Sequence, residues 1–183
     1  MQSNLAEILI TADAIERRVA ELGRELARRY GDGQPVLVIA IMHGCVLFLA
    51  DLVRQLPIPL DLEFVYCKSY AGAECGVLEF GHRASLAEAV GGRRVLLVDD
   101  IFDTGRTLTR AGDELRELGA AEVTTAVLLV KRGCAAAGMR PPDLAGFEIE
   151  NRFVVGYGLD YNGRYRNLPH IGVLRAEAMR GEG

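Results

Sequence analysis

Three aspartates stand close together where an apolar run ends, in VLLVDDIFDTGRTL, Val95 to Leu108. Carboxylates such as Asp99 and Asp100 accept hydrogen bonds from sugar hydroxyls or sit beside a magnesium ion. The turn that follows, Asp103, Thr104, Gly105, Arg106 and Thr107, has a different chemistry. Gly105 lets a ligand approach the backbone closely, and Thr104 and Thr107 add hydroxyl donors. At the start of a helix these groups join free backbone N–H groups and a favourable dipole, which together suit a phosphate. Acids repel phosphate, so a ligand carrying both a phosphate and a ribose satisfies the two halves of the stretch. A helix N-cap and a solvated turn account equally well for a bare pair of acids, but not for the whole run.

The elements that must position these residues follow from periodicity. Ile15, Val19, Leu22 and Leu26 recur at helical spacing among charged residues, which predicts an amphipathic helix closed near Gly31 and Gly33. PVLVIAIMHG reads as a buried strand, VLFLADLVRQL as a helix, LDLEFVYCKSY and VLLVDD as strands, GRTLTRAGDELRELG as a helix and EVTTAVLLVKR as a strand. Near-continuous apolar strands alternating with helices predict a parallel sheet covered on both faces. The aspartates then lie at the carboxyl end of a parallel strand, where open α/β sheets bind ligands. Ala71 to Gly92, with five glycines and little periodicity, is expected to be a long mobile excursion without helix, placed to act as a lid. The segment after Arg132 mixes short apolar strands with turns.

A chain of 183 residues, half apolar and one quarter charged, is expected to form one soluble domain with its own core. The net charge of −4 and the lack of a Lys/Arg cluster argue against nucleic acid as a partner. No secretory signal is evident, and no apolar run reaches the ~20 residues that span a bilayer, so a cytoplasmic location without membrane contact is expected. Cys45, Cys67, Cys75 and Cys134 show no CxxC pairing and no histidine at ligand spacing, which favours reduced packing thiols over zinc or disulfide exchange.

The apolar strand, two acids, two apolar residues and D-T-G-x-T together resemble the phosphoribosyl diphosphate motif of the type I phosphoribosyltransferases. The resemblance extends from about Ile8 to Leu174 and points to the hypoxanthine-guanine phosphoribosyltransferase family. CKSY, Cys67 to Tyr70, looks like the start of that family's flexible catalytic loop. VLLVKR contains its purine-reading lysine, and GFEIENRFVVGYGLDYNGRYRNLPHIGVL is similar to its base-binding hood. The resemblance implies the type I phosphoribosyltransferase fold for residues 1–183: a central, mostly parallel sheet flanked by helices, a long flexible loop, and a small hood from the N-terminal residues and about 141–175. It implies displacement of pyrophosphate from phosphoribosyl diphosphate by a 6-oxopurine, in a Mg2+-dependent homodimer or homotetramer of purine salvage.

Roles carried over with the resemblance agree with the residue chemistry. Asp99 and Asp100 are expected on the ribose hydroxyls and near Mg2+, although the family usually has Glu first. Asp103 is expected to take the purine N7 proton, because a carboxyl of ordinary pKa ~3.9 is ionised at neutral pH; a plain helix cap is the alternative. Thr104, Gly105, Arg106 and Thr107 are expected around the 5′-phosphate, with Ser69, Tyr70, His43, Gly44 and Arg166 completing the phosphoribosyl diphosphate site. Lys131, Phe153, Val154 and Asp160 form the purine end. Lys131 is expected to donate to the purine O6, where the amino group of adenine would leave two donors opposed, a mismatch worth up to ~10⁴-fold. Phe153 is expected to stack on the base, the Val154 backbone to read its N1/C2 edge, Asp160 to lie near Mg2+, and Arg166 to bind pyrophosphate. Taken singly, these residues also fit a snorkelling lysine, a core phenylalanine and a surface ion pair.

Met42-His43-Gly44 departs from the family's usual Leu-Lys-Gly, replacing a fixed cation with a side chain mostly neutral at pH 7. Three other readings remain open: a xanthine-preferring enzyme, a regulator of this fold that binds RNA or a repressor, and a receiver-type phosphoaspartate switch. The last gives no reason for D-T-G-x-T or the hood.

Overall fold

The computed structural model describes residues 2–31, 33–67, 78–79 and 83–180. Ser69, Tyr70 and residues 71–77 and 80–82 of the expected lid lie outside these residues. After a short turn of 3-10 helix the elements are β1 (Leu5–Ile10), α1 (Ala12–Arg29), β2 (Val36–Met42), α2 (Val46–Val53), β3 (Leu60–Cys67), β4 (Leu78–Glu79) and α3 (Arg83–Val90). There follow β5 (Arg94–Phe102), α4 (Arg106–Glu117), β6 (Glu122–Lys131), β7 (Leu144–Ile149), β8 (Val154–Val155), β9 (Ile171–Leu174) and α5 (Ala176–Arg180).

Six strands form the large sheet in the order β4-β3-β2-β5-β6-β7, parallel except for β4. Successive residues of β2 and β5 feed opposite faces, which explains why these strands are apolar throughout rather than alternating. Val36, Val38, Ala40, Leu96 and Val98 pack under Ile15, Val19, Leu22 and Leu26 of α1 and Phe48 and Leu52 of α2. Leu37, Ile39, Val95 and Leu97 pack under Leu86 and Val90 of α3 and Leu108 and Leu115 of α4. The chain leaves β2 towards β3 on one side, and β5 lies on the other side of β2 and leads on to β6. Their carboxyl ends therefore border the crevice where the strand order reverses, a favoured ligand position in open α/β sheets.

The second half of the segment expected to lack helix forms α3. Five glycines dilute the pattern when averaged from 71 to 92, but RASLAEAV contains none and places Leu86 and Val90 one turn apart on a buried face. The N-terminal strand is a further addition: β1 pairs antiparallel with β9, and β9 with β8, in a separate three-stranded sheet. Of residues 141–175, Leu144–Ile149 extends the large sheet as β7, while Val154–Val155 and Ile171–Leu174 join β1. Among the described residues, no helix is long and apolar enough to cross a membrane.

Candidate active site

β5 carries its hydrogen bonding two residues past the expected VLLVDD, so Asp99 and Asp100 are strand residues and the turn begins at Asp103. Asp99 is only 7% exposed, and its Oδ1 accepts from the Asp100 N–H at 2.9 Å. Burial raises both carboxyls above the ordinary range, Asp99 well above it, with repulsion from Asp100 adding to the effect of burial there. At Asp100 the hydrogen bond from Asp99 and the Arg166 guanidinium work against that rise. Two adjacent carboxyls towards the end of this strand thus both lose by being charged, and a hydroxyl donor or a cation beside them would offset that loss.

Gly105 is the N-cap of α4 with φ +80°, and no side chain caps the helix. A Cβ there would lie 2.4 Å from the Phe102 ring, so the turn needs glycine for both its backbone angle and its packing. Asp99, Asp100, Asp103, Thr104, Gly105 and Thr107 line one cavity of about 250 Å3. Arg106 is exposed at the first position of α4.

Asp103 does not cap α4. Its Oδ2 accepts from Lys131 Nζ at 2.7 Å, across from the end of β5 to the end of β6. The lysine head is thus turned into the site, with its side chain 13% exposed. On the opposite side, Gly44 follows β2 and presses on Asp100: a Cβ at Gly44 would fall 1.6 Å from Asp100 Oδ2. The Met42–His43 peptide is cis, and the exposed His43 ring meets Tyr66 edge-on at 5.3 Å. Cys45, beside the acid pair, is fully buried and donates to the Ile41 carbonyl at 2.9 Å. Burial, then the charges of Asp99 and Asp100, push its thiol pKa up, so it is a packing thiol.

In the small sheet Phe153 is 44% exposed, outside any core, with Tyr161 edge-on at 5.5 Å. Val154 is buried on β8, an edge strand that among the described residues pairs only with β9. Arg166 donates to the Gly158 carbonyl at 2.6 Å and pairs with Asp160 at 2.8 Å. Asp160 also accepts from the Gly163 N–H at 2.8 Å, so both of its oxygens are occupied. Among the described residues no three His, Cys, Asp or Glu side chains converge as metal ligands.

Sequence reasoning passed over Tyr66, Tyr161 and Tyr157. No spacing ties Tyr66 to His43 or Tyr161 to Phe153, because each pair joins different segments. Tyr157 did carry a signal, lying between glycines in GYG, where turn residues concentrate.

The phosphoribosyl transferase domain family matches residues 6–162 of this chain. The chain is 37% identical to the hypoxanthine-guanine phosphoribosyltransferase of Bacillus subtilis over 175 residues, 96% of each protein. The chain belongs to the hypoxanthine-guanine phosphoribosyltransferase family. It is 36% identical to the hypoxanthine-guanine-xanthine phosphoribosyltransferase of Tritrichomonas foetus over 176 residues, 96% of this chain and 94% of that protein. The structure of the hypoxanthine phosphoribosyltransferase of Trypanosoma cruzi complexed with the product IMP superposes with a TM-score of 0.86 at 32% identity, covering 97% of this chain and 95% of that one. The chain also spans 27% of the length of the bifunctional TilS/HprT protein of Listeria innocua, to which it is 37% identical. Its sheet and flanking helices are those of the type I phosphoribosyltransferase fold.

Proposed function

We propose that this chain joins hypoxanthine or guanine to the anomeric carbon of phosphoribosyl diphosphate, giving IMP or GMP and pyrophosphate. The Asp103–Lys131 pair is the observation that carries this reading. A 6-oxopurine presents an N7–H donor beside an O6 acceptor, and a carboxylate 2.7 Å from an ammonium is the complement of that edge. As the N9–C1′ bond forms and the C1′–pyrophosphate bond breaks, Asp103 accepts the N7 proton while Lys131 holds O6. Asp99 and Asp100 would accept from the ribose hydroxyls and offset the positive charge growing on the sugar. Thr104 to Thr107 would hold the 5′-phosphate at the start of α4, and Arg166, His43 and Gly44 the pyrophosphate. Phe153 and the Val154 backbone would hold the base, with Asp160 at the same end. Ser69 and Tyr70 would start the cover that excludes water.

The donor set suits a hard cation that brings most of its own oxygens, since Asp99 and Asp100 are adjacent carboxyls and among the described residues no third ligand converges on them. Mg2+ carried in by the diphosphate would neutralise charge on the leaving group, with Asp99, Asp100 and Asp160 as the carboxylates near it. A cytoplasmic location belongs to the same reading. A homodimer or homotetramer also belongs to it, supported by Leu62, Phe64 and Tyr66, which leave one side of β3 41–47% exposed next to His43. Sedimentation of the protein at micromolar concentration tests that assembly.

Incubating hypoxanthine, guanine, xanthine and adenine separately with phosphoribosyl diphosphate and Mg2+ tests the reaction. Hypoxanthine and guanine are expected to give monophosphates and adenine none. Adenine turnover comparable to theirs overturns the roles of Asp103 and Lys131, and turnover of xanthine alone marks a xanthine-preferring enzyme.

A further inference from the structure

Gly156, Tyr157 and Gly158 have φ of +102°, +49° and +98°, three consecutive residues in a region that an aromatic side chain seldom occupies. The two glycines add no side-chain packing, so beside the backbone hydrogen bonds of the turn the Tyr157 ring is the one side chain that anchors these three residues. Its hydroxyl donates to Asp51 of α2 at 2.5 Å, and Asp51 is held in turn by Arg54. α2 begins at Val46, two residues past Gly44, so Asp51 belongs to the helix that the pyrophosphate loop leads into. The Gly158 backbone rests against that loop, because a Cβ on Gly158 would lie 2.1 Å from the Gly44 carbonyl oxygen. Gly158 is also joined to Arg166 twice: its N–H donates to the Arg166 carbonyl at 2.9 Å, and its own carbonyl accepts from the guanidinium at 2.6 Å.

We propose that Tyr157 is a positioning residue for the pyrophosphate end of the site, its hydroxyl on Asp51 fixing Gly158 between the Gly44 loop and Arg166. This rests on the reaction proposed above. Gly44 and Arg166 come from parts of the chain far apart in sequence, and the tyrosine bond ties the segment carrying one to the helix following the other. Burial, strengthened by Asp51, pushes the Tyr157 pKa above the ordinary tyrosine range, so the hydroxyl keeps its proton in alkaline solution. Without the bond, loop and guanidinium still exist but no longer present one preorganised surface to the diphosphate.

Tyr157→Phe removes only the hydroxyl. It is expected to raise the KM for phosphoribosyl diphosphate by roughly tenfold, the scale of one hydrogen bond to a charged group, with kcat and the purine KM within about twofold of wild type. Asp51→Asn, whose amide oxygen still accepts, is expected to restore most of the wild-type KM, whereas Asp51→Ala should match Tyr157→Phe. An unchanged diphosphate KM in Tyr157→Phe, or equal rises for both substrates, overturns the proposal and leaves the tyrosine a structural residue. If Tyr157→Phe does not fold, Asp51→Ala decides by the same measure. Titration of wild type and variant with pyrophosphate and Mg2+ separates the two levels of argument. A wild-type chain that turns over no purine defeats the proposed reaction, and equal pyrophosphate affinity of wild type and variant, including none for either, defeats the positioning role.

Discussion

The two walls of the site are built in opposite ways. One wall, Asp99 to Thr107, is continuous in sequence and runs from a buried strand through one turn into a helix. The other is gathered from Lys131 on β6, Phe153 and Val154 at the small sheet, and Asp160 and Arg166 in the turns that follow. The continuous wall holds a buried and a half-buried acid next to each other against their own repulsion, on a strand hydrogen-bonded on both sides. The gathered wall contains an exposed ring and ion pairs that can be exchanged for ligand. In the proposed reaction, the charge chemistry would therefore sit on a central strand and its helix, and recognition of the base on segments brought together by the tertiary fold.

Substituting the residue that joins the walls is the most severe test. Asp103→Asn keeps the shape but cannot accept the N7 proton, so kcat should fall by ~10²–10⁴-fold while phosphoribosyl diphosphate still binds. A loss below tenfold, with chemistry shown to limit the rate, would leave Asp103 as no more than the partner of Lys131. On the gathered wall alone, Phe153→Ala should cost roughly 1–3 kcal/mol of stacking, seen as a rise in the purine KM with little change in that for phosphoribosyl diphosphate. Equal effects on both substrates would mean that the ring supports the small sheet instead of the base.

The smallest effect is expected on the continuous wall, and it is one of stability. The native pKa of Asp99 lies above its unfolded value of ~3.9, so ionisation disfavours folding. That penalty is absent in acid, begins as the pH rises past the unfolded pKa, and grows until the raised native pKa is reached. Asp99→Asn, which still offers an oxygen to the Asp100 N–H, should melt about 2–4 °C higher at pH 7 per ~1 kcal/mol relieved. Its advantage should shrink towards pH 4. Melting curves across that range check this, and an advantage independent of pH would contradict the repulsion assigned to the pair.

The same contrast governs what the residue pattern discloses. Strands β2, β5 and β6 and helices α1 and α4 are visible because burial on two faces or one imposes a local period. The D-T-G-x-T turn is visible because its functional groups are neighbours in the chain. β1 and β9 pair across nearly the whole length of the protein, and β8 has two residues, so neither local period nor composition marks them as one sheet. α3 was hidden by flanking glycines. The Asp103–Lys131 contact depends on the register of β5 against β6, a property of the sheet. That Phe153 faces solvent and Asp160 is occupied by Arg166 likewise depends on tertiary placement.

The Gly44–Asp100 contact sets the latitude open to the loop after β2. Position 43 sets its exposed side chain against Tyr66, whereas any side chain at 44 would occupy the volume of the Asp100 carboxylate. A library randomised at both codons and selected for growth on a salvaged base would accordingly be broad at 43 and collapse to glycine at 44. The departure of His43 from the lysine that the resemblance implies falls where the fold leaves room for a side chain, whereas Gly44 is locked by the space it leaves empty.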